Sequence, residues 1–162
     1  MPRPAFKRPE SVLVVVHTGA DVLLLERLQP KGFLQSVTGS LEAGESPVDC
    51  ARRELAEEIG LGVTDGLRDL DLVQRFPIAP AWRHRYAPDV KQNLEHAFAL
   101  RVDRTFEPKL SASEHIAYRW LTAGRAAGLA TSWTNRDAIR RVFGNGNGDG
   151  ITSQVRCDDP PI

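Results

Sequence analysis

Three glutamates lie within about one helical turn in the segment 53–58, which has the sequence RELAEE. Glu54, Glu57 and Glu58 are spaced so that, on a helix, like charges repel by roughly 0.2–0.5 kcal/mol per pair. The whole chain has 162 residues with 21 acidic and 21 basic side chains, so it has no general excess of acid. Carboxylates are the ligands that Mg²⁺ prefers, and a bound cation removes their repulsion. Taken alone, the cluster is compatible with a divalent-cation site and also with a solvated acidic face balanced by Arg52 and Arg53, which is the commoner case for an acidic helix turn.

A helix is predicted over 47–59, and it must position these carboxylates. Ser46 is a suitable N-cap, Pro47 suits the first helical position, and Gly60 is a natural C-terminal stop. At about 100° per residue one apolar stripe should face the core. The stripe consists of Val48, Ala51, Leu55 and Ile59. The three glutamates fall together on the adjoining edge of the helix, where partial exposure is expected.

Short apolar runs predict the strands that accompany this helix. The predicted strands are 12–16, 22–27, 33–39, 70–76, 94–102 and 116–121, and a second helix is predicted over 134–143 with Thr134 as its cap. Between two of these strands, the segment 77–92 forms a long loop rich in proline, aromatic and basic residues. A loop of that length in a compact domain is typically functional or disordered. The pattern predicts a mixed α/β domain.

Composition sets the broad class of the protein. With 41% hydrophobic and 26% charged residues, the chain has the composition of a globular protein. We expect one domain over 1–144 and a disordered tail over 145–162, where apolar residues are few. The balanced charge predicts no nucleic-acid partner, and no apolar run is long enough for a membrane span. Because Cys50 and Cys157 are far apart, we expect no disulfide framework and a cytoplasmic location. We also expect no obligate protein partner.

The segment 39–61, GSLEAGESPVDCARRELAEEIGL, carries a known pattern at nine specified positions. It resembles the Nudix box, G-x5-E-x7-R-E-U-x-E-E-x-G-U, where U is an aliphatic residue. The matched positions are Gly39, Glu45, Arg53, Glu54, Leu55, Glu57, Glu58, Gly60 and Leu61. The resemblance implies the Nudix fold, a mixed β-sheet sandwiched between helices. It also implies a loop–helix–loop motif that holds Mg²⁺, or Mn²⁺ in its place, against a diphosphate.

The resemblance also implies roles for individual residues. Metal ligands and catalytic carboxylates would be Glu54, Glu57, Glu58 and, from outside the box, Glu114. Gly39 would bring the backbone close to the metal, and Arg53 would pair with a carboxylate and hold the cluster in register. Glu58, Glu57 and Glu114 all stay open as the group that takes the proton from the attacking water.

Further segments are similar to the folate-pathway family of bacterial dihydroneopterin triphosphate pyrophosphatases. They are FKRPESVLVVV, LQSVTGSLEAGE, RHRYAPDVKQN, EHIAYRWL and TSWTNRDAI, and the similarity as a whole covers about residues 6–143. This similarity implies hydrolysis of dihydroneopterin triphosphate to the monophosphate and pyrophosphate. The substrate-site residues that it implies are Lys7, Arg27, Thr38 and Ser132. On charge grounds, Arg83 and Arg85 are additional candidates for binding the polyphosphate, ahead of His84 between them.

Two alternatives stay open at the level of sequence. One is another Nudix activity on nucleoside triphosphates, dinucleoside polyphosphates or ADP-ribose, and Pro77 is close to the position of a marker proline in the ADP-ribose group. The other is a Nudix-fold binding module without turnover, against which the intact RELAEE segment argues. In every case the expected partner is a small molecule that carries a phosphate chain.

Overall fold

The computed structural model describes residues 5–62 and 64–144, and the predicted tail over 145–162 lies outside this part of the chain. Seven strands and three α-helices follow one another along it, with a 3₁₀ helix, Pro80–Arg85, between the fifth and sixth strands. The strands are β1 (Glu10–His17), β2 (Asp21–Arg27), β3 (Leu34–Gln35), β4 (Val37–Ser40), β5 (Leu67–Pro77), β6 (Gln92–Arg101) and β7 (His115–Thr122). The helices are α1 (Pro47–Ile59), α2 (Ala123–Leu129) and α3 (Trp133–Phe143).

The strands form one mixed sheet with the order β3-β2-β1-β6-β5, in which β4 also pairs with β1 and β7 with β2. β1 runs parallel to β6 along its whole length, whereas the other pairings are antiparallel. β1 meets β2 where His17 lies opposite Val22, next to their connecting turn. At the other end of β1, β4 takes the place of β2 as its neighbour. A cavity opens in this region, between the start of β1 and the end of β2.

Side chains of β1 alternate between two apolar layers, as expected for a strand buried on both faces. Val12, Val14 and Val16 pack in the layer that contains the apolar stripe of α1. Leu13 and Val15 pack in the opposite layer with residues of α2 and α3. The sheet is therefore covered by helices on both faces, and the predicted fold class is confirmed.

The structure corrects three local predictions. The extended segment 33–39 is interrupted at Ser36, whose backbone N–H donates to Asn135 Oδ1 at 2.6 Å and whose Oγ accepts from Asn135 Nδ2 at 2.8 Å. Helix α3 is capped by Ser132, which accepts from the Asn135 N–H at 3.2 Å, and not by Thr134. Helix α2 was not predicted, because AGRAAGL contains two glycines and one large apolar residue. None of the described helices is long and apolar enough to cross a membrane.

Candidate active site

Helix α1 carries two of its glutamates into the protein and leaves the third in solvent. The helix begins after Ser46, which accepts a hydrogen bond from the Asp49 N–H, and ends at Gly60, whose φ of 71° is left-handed. Glu54 and Glu58, four residues apart on one face, are 7% and 4% exposed, whereas Glu57 is exposed. The expectation of a common, partly exposed edge is therefore wrong for Glu54 and Glu58, because β4 packs against that face.

Burial of these two carboxyl groups makes their ionised forms costly in the absence of a cation. Burial raises the pKa of Glu54 to about 7, with Glu57 adding to the shift and Arg53 opposing it. Burial also raises the pKa of Glu58 well above its ordinary value, and the neighbouring Glu54 and Glu114 raise it further. The Thr38 N–H donates to Glu58 Oε2 at 3.4 Å and opposes that shift. Such a pair suits a bound divalent cation.

Arg53 pairs with three of the four carboxylates of the box. Its guanidinium makes a two-pronged ion pair with Glu45, with N···O distances of 2.8 and 2.9 Å. It also donates to Glu54 at 3.0 Å, to Glu57 at 3.2 Å and to the carbonyl of Ser40 at 3.0 Å. The hydrogen bonds from Arg53 lower the pKa of Glu45 to about 2. Arg53 thus anchors Glu54 and joins α1 to the end of β4, which is a positioning role.

Gly39 lies on β4 directly against the Glu54 side chain. A Cβ at this position would overlap the carboxyl group of Glu54. The close approach that requires glycine here is therefore between the β4 backbone and a carboxylate of α1. Gly39 also lines the cavity, beside Thr38 and Ser40.

Glu114, directly before β7, and His115, its first residue, form a second group of possible ligands together with Glu58 of α1. Glu58, Glu114 and His115 each offer one ligand atom, and these atoms lie within 4.8 Å of one another. Burial, with Arg27 nearby, lowers the pKa of His115 to about 4, so its imidazole is neutral at neutral pH. Its buried Nδ1 has no hydrogen-bond partner within the described ranges. Two carboxylates and a neutral imidazole with a free nitrogen fit a divalent cation.

These groups open into one cavity of about 320 Å³. Its cationic rim consists of Lys7, Arg27 and Arg85. The Lys7 N–H donates to the Arg85 carbonyl at 2.8 Å, and the Arg27 guanidinium lies 5.8 Å from the ring centre of Trp82. Burial lowers the pKa of Lys7, and so does the neighbouring charge of Arg85. Cations at the rim and carboxylates inside can bind the two ends of a metal–polyphosphate complex.

Comparison with known proteins identifies the family to which the chain belongs. The NUDIX domain family matches residues 7–142. The chain belongs to the Nudix family. A dihydroneopterin triphosphate diphosphatase of Escherichia coli K12 is 41% identical to this Nudix chain over 145 residues, which cover 86% of the chain and 95% of the relative. The Haemophilus influenzae enzyme of the same name is 37% identical, with 86% and 90% covered.

Solved structures agree with these sequence relatives. The structure of the E. coli dihydroneopterin triphosphate pyrophosphohydrolase superposes with a TM-score of 0.78 at 40% identity, covering 86% of this Nudix chain and 98% of that one. Nudix hydrolases generally use a divalent metal, and the acidic group with Glu58 and Glu114 is a candidate site for it.

The structure brings some of the predicted site residues of this Nudix domain together and leaves others apart. Those that line the cavity are Lys7, Arg27, Thr38, Gly39, Glu54, Arg85, Glu58 and Glu114. Arg83 is exposed, donates to the carbonyl of Ile78 at 3.4 Å and does not itself line the cavity. Ser132 is buried and occupied as the cap of α3. Substrate contacts by these two residues are predictions that the placement does not favour.

The sequence interpretation missed His115 and the polar residues on the floor of the cavity. His115 follows Glu114 directly in the segment SEHIAYRW, and that Glu-His pair is a signal that could have been used. Asn93 and Glu95 also line the cavity, and they lie two residues apart in β6. The acidic Glu95 within the predicted strand 94–102, on the same face as Asn93, was a second signal.

Proposed function

We propose that this chain is a Mg²⁺-dependent pyrophosphohydrolase that converts dihydroneopterin triphosphate into dihydroneopterin monophosphate and pyrophosphate, a step of folate biosynthesis. The observation that carries the proposal is the 41% identity over 95% of the length of an enzyme with that named substrate. The cavity supports it, because a triphosphate needs both a cationic rim and a metal-binding acidic group.

In this proposal, the metal and the phosphate chain are bound by different residues. Glu58, Glu114 and His115 would hold the metal, with Glu54 beside them. These ligands include two carboxylates, which Mg²⁺ prefers. The imidazole of His115 is also a suitable ligand for Mn²⁺. When bound, the ion supplies charge neutralisation on the phosphate chain and acidifies water.

The remaining chemistry is positioning and proton transfer. Lys7, Arg27 and Arg85 bind the phosphate oxygens and align the chain in the cavity. A water oxygen attacks phosphorus, the bond between phosphorus and the pyrophosphate oxygen breaks, and pyrophosphate leaves. A cavity carboxylate takes the proton of the water, and Glu54, Glu58 and Glu114 are in place for this. Glu57 is a weaker candidate, because it is exposed and paired with Arg53.

Product analysis tests the proposal. The protein is incubated with dihydroneopterin triphosphate and Mg²⁺, and the products are followed by phosphorus NMR. We expect equal amounts of pyrophosphate and the monophosphate, and no product with a chelator present. Release of orthophosphate, or binding without any product, contradicts the proposal. A cytoplasmic location belongs to the proposal too, and the free thiol of buried Cys50 is compatible with it.

A further inference from the structure

Three polar side chains form a buried row on β5 and β6, and we call Gln74, Asn93 and Glu95 the polar floor. They are 5%, 4% and 1% exposed. Gln74 lies opposite Glu95 in the antiparallel register, and Asn93 precedes Glu95 by two residues, so all three point to the same face of the sheet. Asn93 and Glu95 line the cavity. On the same face, further along β6, Ala97 and Ala99 are apolar and pack in the core.

Each side chain of the polar floor has one oxygen without a hydrogen-bond partner in the described part of the chain. These atoms are Gln74 Oε1, Asn93 Oδ1 and Glu95 Oε1. The Asn93 amide nitrogen donates to Ser11 Oγ at 2.8 Å, and Thr134 makes a hydrogen bond with the Glu95 carboxyl group. The neighbouring residues therefore fix both side chains and leave one oxygen of each, Asn93 Oδ1 and Glu95 Oε1, free to accept. Unpaired buried acceptors are rare in native proteins and call for an explanation.

The polar floor lies across the sheet from the metal-binding carboxylates. Glu95 is opposite Ser11 of β1, and Ser11 is opposite Ser40 of β4. Two interstrand spacings, about 10 Å, therefore separate Glu95 from the strand against which Glu54 packs. Asn93 and Glu95 of the polar floor line the same cavity as Glu54 and Glu58. A ligand whose phosphate chain lies at the carboxylates can reach the polar floor with its other end.

We infer that the polar floor is the subsite for the head group of the substrate, and that it recognises an edge of adjacent N–H donors. The inference rests on the proposed function and deepens it. The 2-amino-4-oxo-pyrimidine edge of a pterin carries the N3–H and the two hydrogens of the amino group. Adjacent donors of this edge can each meet one free oxygen of Asn93 and Glu95, the two members of the polar floor that line the cavity. Phe76, opposite Asn93 in register and buried, gives the cavity an apolar wall for the ring.

A subsite of acceptor oxygens should bind some head groups more tightly than others. Guanine has the same donor edge as a pterin, so the polar floor accepts both. Hypoxanthine lacks the 2-amino group, and adenine places a ring acceptor beside its amino group, so each leaves acceptors unpaired. Burial also raises the pKa of Glu95 to about 7, opposed by the hydrogen bond with Thr134, as expected for a carboxyl group that still needs donors.

The test compares dGTP with dITP, which differ only in the 2-amino group. Both are measured as competitive inhibitors of dihydroneopterin triphosphate hydrolysis, so that slow turnover of either does not matter. We expect dGTP to bind at least about tenfold more tightly than dITP, because one or more buried acceptors lose a donor. Inhibition constants within about twofold of each other would overturn the inference.

The variant Glu95→Gln assigns the discrimination to this residue. The amide is isosteric but replaces an acceptor by a donor, so the preference for dGTP should fall to about threefold or less. The matched control is Glu107→Gln, the same change at an exposed position outside the cavity, which should keep the full preference. An unchanged preference in Glu95→Gln contradicts the inference. If that variant does not fold, the dGTP and dITP comparison on the unsubstituted protein still decides.

Failure of this inference and failure of the proposed function give different results. Dissociation constants of dGTP and dITP, measured by calorimetry, give the same ratio without any dihydroneopterin triphosphate. A protein that prefers dGTP to dITP but does not hydrolyse dihydroneopterin triphosphate overturns only the proposed function. A protein that hydrolyses dihydroneopterin triphosphate but ignores the 2-amino group overturns only the subsite.

Discussion

At the scale of single residues, the site concentrates buried acids that make sense only with ligands. Glu58 lies beside Glu54 and Glu114, and Glu95 has a free acceptor oxygen in the same cavity. The sequence indicated Glu54 and Glu58 because the box fixes their spacing. It did not indicate Glu95, which forms a hydrogen bond with Thr134, or Asn93, which donates to Ser11, a residue 82 positions away in the chain.

The first prediction concerns Glu58→Gln. We expect turnover to fall by roughly a hundredfold or more, because a charged metal ligand is lost. The free energy of unfolding measured in a chelator should not fall, because the amide removes the cost of burying a carboxyl group beside two others. Steady-state kinetics and urea denaturation give the two quantities, with Glu107→Gln as the control. Near-normal turnover of Glu58→Gln in Mg²⁺ would remove this residue from the mechanism.

The second prediction concerns Glu114→Ala. Glu114 is close to Glu58 and His115, so its carboxylate should act on the metal or the attacking water and not on the head group. We therefore expect kcat to fall at least about tenfold, with a much smaller change in KM. Measured kcat and KM for dihydroneopterin triphosphate check this. An unchanged kcat would reduce Glu114 to a surface acid.

The third prediction concerns the pH dependence of stability that Glu95 contributes. Its pKa is about 7 in the folded protein and 4.5 ordinarily, so between these values the unfolded chain releases a proton that the folded protein keeps. The free energy of unfolding of the parent protein, relative to Glu95→Gln, should therefore fall by up to about 3 kcal/mol as pH rises through this window. Above the window the difference stays constant. Urea denaturation at several pH values measures it, and parallel pH profiles would contradict the shift.

At the scale of elements, the best-predicted part is α1, because local signals at Ser46 and Gly60 fix both of its ends. The interruption at Ser36 could not be predicted in the same way. It depends on hydrogen bonds to Asn135, which is 99 residues away. Ser132 and Thr134 are both suitable caps by residue type, and only the position of α3 in the fold selects Ser132.

The packing of α1 against β4 supports a fourth prediction. Gly39→Ala places a methyl group where the Glu54 side chain lies, so Glu54 must move. We expect a loss of about 1–3 kcal/mol in the free energy of unfolding and at least about a tenfold lower kcat.

The matched control for that change is Gly124→Ala in α2. A Cβ there meets nothing within 4 Å, so stability should stay the same or rise slightly, and activity should not change. Urea denaturation and kcat measure both variants. If Gly39→Ala behaves like Gly124→Ala, the contact between the β4 backbone and Glu54 has no functional importance.

At the scale of the whole molecule, the fold gathers residues from nearly the full described chain into one cavity. Lys7 precedes β1 and His115 begins β7, yet both line it. The mixed sheet was predictable from the resemblance to a family, but the pairing of β1 with β4 and β6 was not predictable from local patterns. The metal and the cationic rim would bind any triphosphate alike. Substrate selectivity must therefore come from the part of the cavity that contacts the head group.

The central claim is the choice of dihydroneopterin triphosphate, and it is tested most directly by kcat/KM values for a panel of substrates with Mg²⁺. Each unmatched polar group in a buried site costs roughly 1–3 kcal/mol. The adenine of dATP and ADP-ribose leaves acceptors of the polar floor unpaired, whereas dGTP and oxidised dGTP keep the donor edge and are mismatched where a deoxyribose replaces the open hydroxylated side chain of the substrate. We predict that dihydroneopterin triphosphate exceeds dATP, dGTP, oxidised dGTP and ADP-ribose by at least about a hundredfold, with pyrophosphate as the product. Comparable values for the nucleoside triphosphates, or a clear preference for ADP-ribose, would contradict the claim.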